Sequence, residues 1–217
     1  MEVFVELMND SDIALVPEIA NEQHYEVPPE FFSVMLGEHA KYSCCFWGEN
    51  TKSLDEAEAE ALKITCERAG IENGMSIMAE TYGEANAERW FQRWRQAITI
   101  ADQRYEEYRK SIDFIQRYIF PGSGLPSSAV MTESVARVTD MRLLGLEDIG
   151  LHYATTLHRW RDNFFSRLQE VRQQGFSDTF IRMWEYYLCY CEGAFLERAI
   201  SDVQILFANP QSRLKTL

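Results

Sequence analysis

Long apolar runs are missing from this 217-residue sequence: none approaches the roughly eighteen uninterrupted positions of a membrane-spanning helix. The amino-terminal MEVFVELMNDSD is acidic and has no basic leader region, so no export signal is expected. Bases are scarce as well, with 21 Lys plus Arg against 34 Asp plus Glu and a formal net charge of −13. A basic footprint tracking nucleic-acid phosphates is unavailable on that balance, which argues against nucleic acid as a partner. General attraction to anionic lipid heads is weak too, leaving a local basic patch or an apolar face as the route to peripheral membrane contact. The cysteines (Cys44, Cys45, Cys66, Cys189, Cys191) are odd in number and form no Cys-x-x-Cys. Neither a disulfide framework nor a zinc knuckle follows, no metal is expected, and a reducing cytoplasm is the default compartment.

What is present is globular composition, 46% hydrophobic and 25% charged, enough for a true core. The charge divides unevenly: residues 1–95 hold 19 acids and 7 bases (net −12), residues 96–217 hold 15 and 14 (net −1). Such asymmetry means either an acidic face or two pieces of different origin. Pro28 and Pro29 open a short helix stopped by Gly37, and Ser53 with Glu56 forms a capping box ahead of a helix running to Gly70. Residues 74–78 read as a buried strand, 79–96 as a helix, and 97–100 as a second strand. A helix over 104–120 ends in PGSGLP, another follows over 127–138, and a strand follows over 141–149. Two long helices, 152–175 stopped by Gly175 and 177–198, precede a closing apolar strand over 202–208. Helices alternate with strands, so the class is α/β, with three or four strands centred on Ile77, Ile98, Leu143 and Ile205.

These residues resemble a known family. QHYEVPPEFFSVMLGEHAKYSCCFW followed by SLDEAEAEALKITCERAGIENGMSI resembles the cap and first strand of cyclopropane fatty-acid synthase-type, S-adenosylmethionine-dependent methyltransferases, in the branch that resembles coclaurine N-methyltransferase. AETYGEANAERWFQRWR looks like a piece from near the C-terminus of that branch. From QAITIADQRYEEYRKSIDFIQRYIFPGSGLPS through FIRMWEYYLCYCEGAFLERAISDVQILFA, the chain resembles the C-terminal half of cyclopropane fatty-acyl-phospholipid synthase itself. The likeness runs over residues 13–209. It implies a class I, Rossmann-like methyltransferase fold with a helical cap and tail, divided as 1–95 and 96–217 within one composite domain. It also implies an S-adenosylmethionine donor, a bicarbonate general base, and an unsaturated phospholipid acyl chain or a small amine as acceptor.

The family's Gly-x-Gly loop after the first strand is absent: Met78 runs into Ala79, Glu80, Thr81 and Tyr82. A nucleoside cofactor needs the close backbone approach that glycine permits and a helix N-terminus facing it. Glu80 at such a helix start repels the donor's carboxylate. The fold is therefore truncated, with apolar surface that favours marginal stability or a homo-oligomer.

By resemblance, Tyr42 and Ser43 are cofactor contacts, Tyr153 is the tyrosine that helps hold bicarbonate, and His24 with Tyr25 belongs to the active-site lid. Each has a plainer reading. Tyr42, Ser43 and Tyr153 serve equally as buried, hydrogen-bonded core residues, and His24 as a hydrogen-bonding lid residue. The aromatic run Trp184, Tyr186, Tyr187, Tyr190 and Phe195 reads either as an acyl tunnel wall or as a helix packing into a core. His152 and His158, six apart on a helix, face different ways and do not share a metal. Two functions remain open: a methyltransferase impaired by the missing loop, or a non-catalytic remnant or fused gene product that binds protein or lipid.

Overall fold

A computed structural model of the chain describes residues 27–69 and 92–210. Helix α1 (Pro29–Met35) begins behind Pro28 and buries Phe31, Val34 and Met35. Helix α2 (Leu54–Arg68) starts at the expected capping box, in which the Ser53 side chain accepts from the Glu56 N–H and the Glu56 carboxylate accepts from the Ser53 N–H. Strand β1 (Gln92–Ile100) leads into α3 (Tyr105–Tyr108), a π-helical turn over Ile115–Ile119 and α4 (Ser128–Val138). Strand β2 (Arg142–Asp148), α5 (Gly150–Ser166), α6 (Leu168–Gln173), α7 (Asp178–Leu196) and β3 (Ile200–Ala208) complete the described chain.

The sheet has the order β1-β3-β2 and is antiparallel throughout. Gln92 pairs with Ala208 and Ile100 with Ile200, while β2 runs from Arg142 opposite Ala208 to Asp148 opposite Val203, with a bulge between Leu143 and Gly145. Val203, Ile205 and Phe207 face Met131 and Val135 of α4 on one side of the sheet. The larger core lies on the other side, where Phe31, Trp160, Phe164, Trp184 and Leu188 join α1, α5 and α7. Successive strand side chains alternate between these two layers.

Three of the four expected strand centres, Ile98, Leu143 and Ile205, lie in strands; Ile77 and the expected strand over 74–78 lie outside the described residues. The helix expected over 79–96 needs correction at its end. Gln92 to Gln96 belong to β1, because nine backbone pairs with β3 outweigh the helical spacing of the local sequence. The helix expected over 104–120 breaks into separate turns, since Arg109 caps α3 and Asp113 starts a new turn by accepting from the Gln116 N–H at 2.9 Å. The long helix over 152–175 is interrupted at Arg167, whose backbone leaves helical geometry between α5 and α6. Gly175, at φ +93°, follows α6 as expected.

Candidate ligand-binding cavity

A cavity of about 560 Å³ opens between the end of β1, the 104–120 segment, α5 and α7. Ile98 and Ile100 from β1, Tyr153 and Leu157 from α5, and Tyr187 and Phe195 from α7 make its apolar wall. Arg104, Glu107, Ser111 and Asp113 supply charged and polar groups. Its size lies in the usual range of about 300–1,000 Å³ for small-molecule sites.

The loop after α1 delivers Tyr42 to this wall. Glu58, fully buried on α2, accepts from the Gly37 and His39 N–H groups, both at 2.8 Å, and Asp55 accepts from the Glu38 N–H at 2.8 Å. A side chain at Gly37 meets those carboxylates within 3 Å, so the close approach requires glycine there. Beyond this turn, Tyr42 packs on Phe32 (4.8 Å between centroids) and Trp160 (5.3 Å), and its hydroxyl lies 3.3 Å from that of Tyr187. Ser43 accepts from Lys41 Nζ at 2.7 Å.

Tyr153 stacks on Phe195 at 4.7 Å and meets Trp160 edge-on at 6.1 Å. Among the described residues its hydroxyl has no hydrogen-bond partner. Burial holds that phenol well above its ordinary range, and Asp202 adds to the effect. Asp202 itself is buried in β3, accepts from Gln96 Nε2 at 2.7 Å, and is pushed up to about 6 chiefly by burial. Burial raises the Cys45 thiol to about 11 and the Cys191 thiol to about 12, and takes Cys44 higher still, leaving three inert thiols.

The structure brings Tyr42, Tyr153 and Tyr187 to one cavity, while Ser43 is held by Lys41 and does not line it. His24 and Tyr25 lie outside the described residues. The aromatic run divides between both readings: Trp184 is core, Tyr187, Tyr190 and Phe195 line the cavity, and Tyr186 is exposed. His152 accepts from the Trp47 N–H at 2.9 Å, and His158 meets Glu192 at 3.0 Å, so the two have separate tasks. Among the described residues no group of three or more His, Cys, Asp or Glu is placed to hold a metal. Glu58 and Asp202 went unnoticed in the sequence. For Asp202 a signal existed, an acid at the head of the apolar run DVQILFA.

The mycolic acid cyclopropane synthetase family model matches residues 16–83 and 92–205. The chain belongs to this family. Among its relatives, tuberculostearic acid methyltransferase UfaA1 of Mycobacterium tuberculosis is 39% identical over 100 residues, 46% of this chain and 23% of the relative. Cyclopropane-fatty-acyl-phospholipid synthase of Escherichia coli K12 is 24% identical over an alignment of 266 positions, covering 88% of this chain and 68% of the enzyme. (S)-coclaurine N-methyltransferase of Thalictrum flavum is 42% identical over 66 residues, 30% of this chain and 18% of the relative. The chain thus spans only about a quarter of UfaA1. The mycolic acid cyclopropane synthase CmaA1, solved with SAH and CTAB, superposes with a TM-score of 0.68 at 17% identity over 89% of this chain and 99% of CmaA1, a likeness of fold.

S-adenosylmethionine is the donor that membership in the cyclopropane synthetase family implies, and the described residues do not fit it. Among the described residues no glycine lines the cavity, and the two hydroxyls matching donor contacts are engaged inside the protein, Tyr42 with Tyr187 and Ser43 with Lys41. Bicarbonate fits no better: among the described residues the buried carboxyl of Asp202 acts on Tyr153, and a buried carboxylate repels an anion.

Proposed function

We propose that this member of the cyclopropane synthetase family retains the binding of an unsaturated acyl chain and is impaired in methyl transfer. The apolar cavity carries the reading: its wall is aliphatic and aromatic from β1, α5 and α7, which suits a lipid chain better than a small amine. A sulfonium donor needs a glycine cradle and aligned approach to the alkene, and the sequence after Met78 supplies no such cradle. Tyr153, Tyr42 and Tyr187 shape the acyl site in this account, Ser43 braces the loop that carries Tyr42, and His24 with Tyr25 retains the lid assignment. Segments 1–95 and 96–217 act as one composite domain, a reading supported by β1 crossing that boundary and by α1 packing with α5.

Among the described residues no helix is long and apolar enough to cross a membrane, and the free thiols suit a reducing cytoplasm. The test uses the full chain with a fluorescent polyene fatty acid, and separately with methyl-labelled S-adenosylmethionine and vesicles of cis-unsaturated phospholipid. Saturable fatty-acid binding that Ala194→Trp abolishes, with no label entering the lipid, is the expected result. Label transfer at a sustained turnover contradicts the loss of catalysis, and absence of fatty-acid binding contradicts the acyl site.

A further inference from the structure

The two outer strands of the sheet are finished differently. β2 carries Arg142, Glu147 and Asp148, and its register is broken by the bulge between Leu143 and Gly145. Charge and a bulge are the usual guards of a sheet edge against pairing with another chain. β1 has neither over residues 96–100, which hold no charge, no Pro and no Gly, and its pairing with β3 runs unbroken from Gln92 to Ile100.

The hydrogen bonds of β1 define its unused side. Ile100, opposite Ile200, sends its N–H away from β3 to the Pro126 carbonyl at 3.0 Å, while Ala101 donates to the Ala199 carbonyl at 3.2 Å. Bonded and non-bonded pairs alternate along an antiparallel ladder, so the N–H and C=O groups of Trp94, Gln96 and Ile98 point outward as those of Ile100 do. Among the described residues no backbone group bonds Gln96 or Ile98 on that side, and the one bridge there joins Ile100 to Ser127. The family match also breaks at residues 84–91, immediately before β1. The aligned stretch of the Escherichia coli synthase, 266 positions, is longer than this whole chain of 217 residues, so part of that enzyme has no counterpart here.

A second copy supplies an identical edge, and antiparallel pairing about a twofold axis lets each outward group meet its complement. Charge selects the register. With Gln96 of one copy opposite Gln96 of the other, Trp94 lies opposite Ile98 at both ends and Arg95 lies opposite Ala97, closing about six backbone hydrogen bonds. Centring on Trp94 instead sets Arg93 against Arg95, a like-charge pair. Centring on Ile98 needs the Ile100 N–H, which Pro126 already holds.

We propose that the outer edge of β1 pairs with the same edge of a second copy, Gln96 opposite Gln96, joining two three-stranded sheets into one of six. The pairing is independent of what the cavity binds.

The experiment is sedimentation equilibrium of the full chain, with hydrogen exchange of its backbone amides. A reversible dimer is expected, in which the Gln96 and Ile98 amides exchange slowly and lose that protection on dilution. Ala97→Lys sets a like charge opposite Arg95 of the other copy, and Ala97→Glu sets an opposite charge there with a side chain of similar length. Each contact occurs twice per dimer, so the dissociation constant of Ala97→Lys is expected to exceed that of Ala97→Glu by about tenfold, with folded content matched by circular dichroism. A monomer at every concentration overturns the proposal, and slow exchange of the two amides in that monomer assigns the edge to residues 70–91 of the same chain. A dimer with the same dissociation constant for both Ala97 variants overturns it as well, because the contact then lies on another face.

Discussion

The hydroxyls of Tyr42 and Tyr187 lie 3.3 Å apart although the residues are 145 positions distant in the chain. This contact joins the loop after α1 to α7 at the cavity wall, and it occupies one of the hydroxyls that the family resemblance assigns to the donor. Tyr187→Phe removes the pair and keeps the ring. A loss of about 1 kcal/mol in unfolding free energy is expected by urea denaturation. No loss means that the hydroxyls do not bond in solution.

Tyr153→Phe is the counterpart, because that hydroxyl has no hydrogen-bond partner among the described residues. Stability is expected to stay within about 0.5 kcal/mol of native, or to rise, in the same denaturation experiment. Destabilisation well beyond that reveals a partner that supports the hydroxyl.

Glu58 organises the turn that carries the Tyr42 loop, accepting from two backbone N–H groups from a fully buried position. Glu58→Ala strands both donors, and a cost of about 3 kcal/mol follows from charge-assisted bonds of this type. Glu58→Gln keeps one acceptor and is expected to cost less. Equal, small effects of the two substitutions contradict the role of the carboxylate.

Asp202 gives the fold a pH dependence. Burial raises its carboxyl from 3.8 to about 6 in the folded chain, with Asp148 adding to the rise and Gln96, Cys44 and Lys41 opposing it. Its favourable contribution is therefore fully present below about pH 4, where both states are protonated. It is lost as pH rises through 6, by about 3 kcal/mol in total. Asp202→Asn is expected to flatten this part of the stability profile between pH 4 and 7 and to raise the denaturation midpoint at pH 7. An unchanged slope assigns the titration to other groups.

Local signals in the sequence located the elements whose causes are local. Ser53 and Glu56 announced α2, Pro28 and Pro29 announced α1, and Gly175 marked the end of α6. Residues 92–96 misled because their aromatic spacing fits a helix, while their conformation is set by β3 more than a hundred residues later. The break at Arg167 escaped notice because the apolar period continues through it, from Phe164 to Leu168 and Val171. The resemblance named Tyr42 and Tyr153, but which hydroxyls meet depends on packing between distant helices and was invisible in one dimension. The buried carboxylate of Glu58 was hidden for the same reason, because its burial is decided by the N–H groups that surround it, whereas the apolar run after Asp202 did mark that acid.

The central claim, an acyl-binding member of the cyclopropane synthetase family without a donor cradle, is tested most directly by titration calorimetry of the full chain with S-adenosylmethionine. No saturable heat is predicted at concentrations where the same preparation binds a fatty acid. A stoichiometric binding isotherm for the donor contradicts the account.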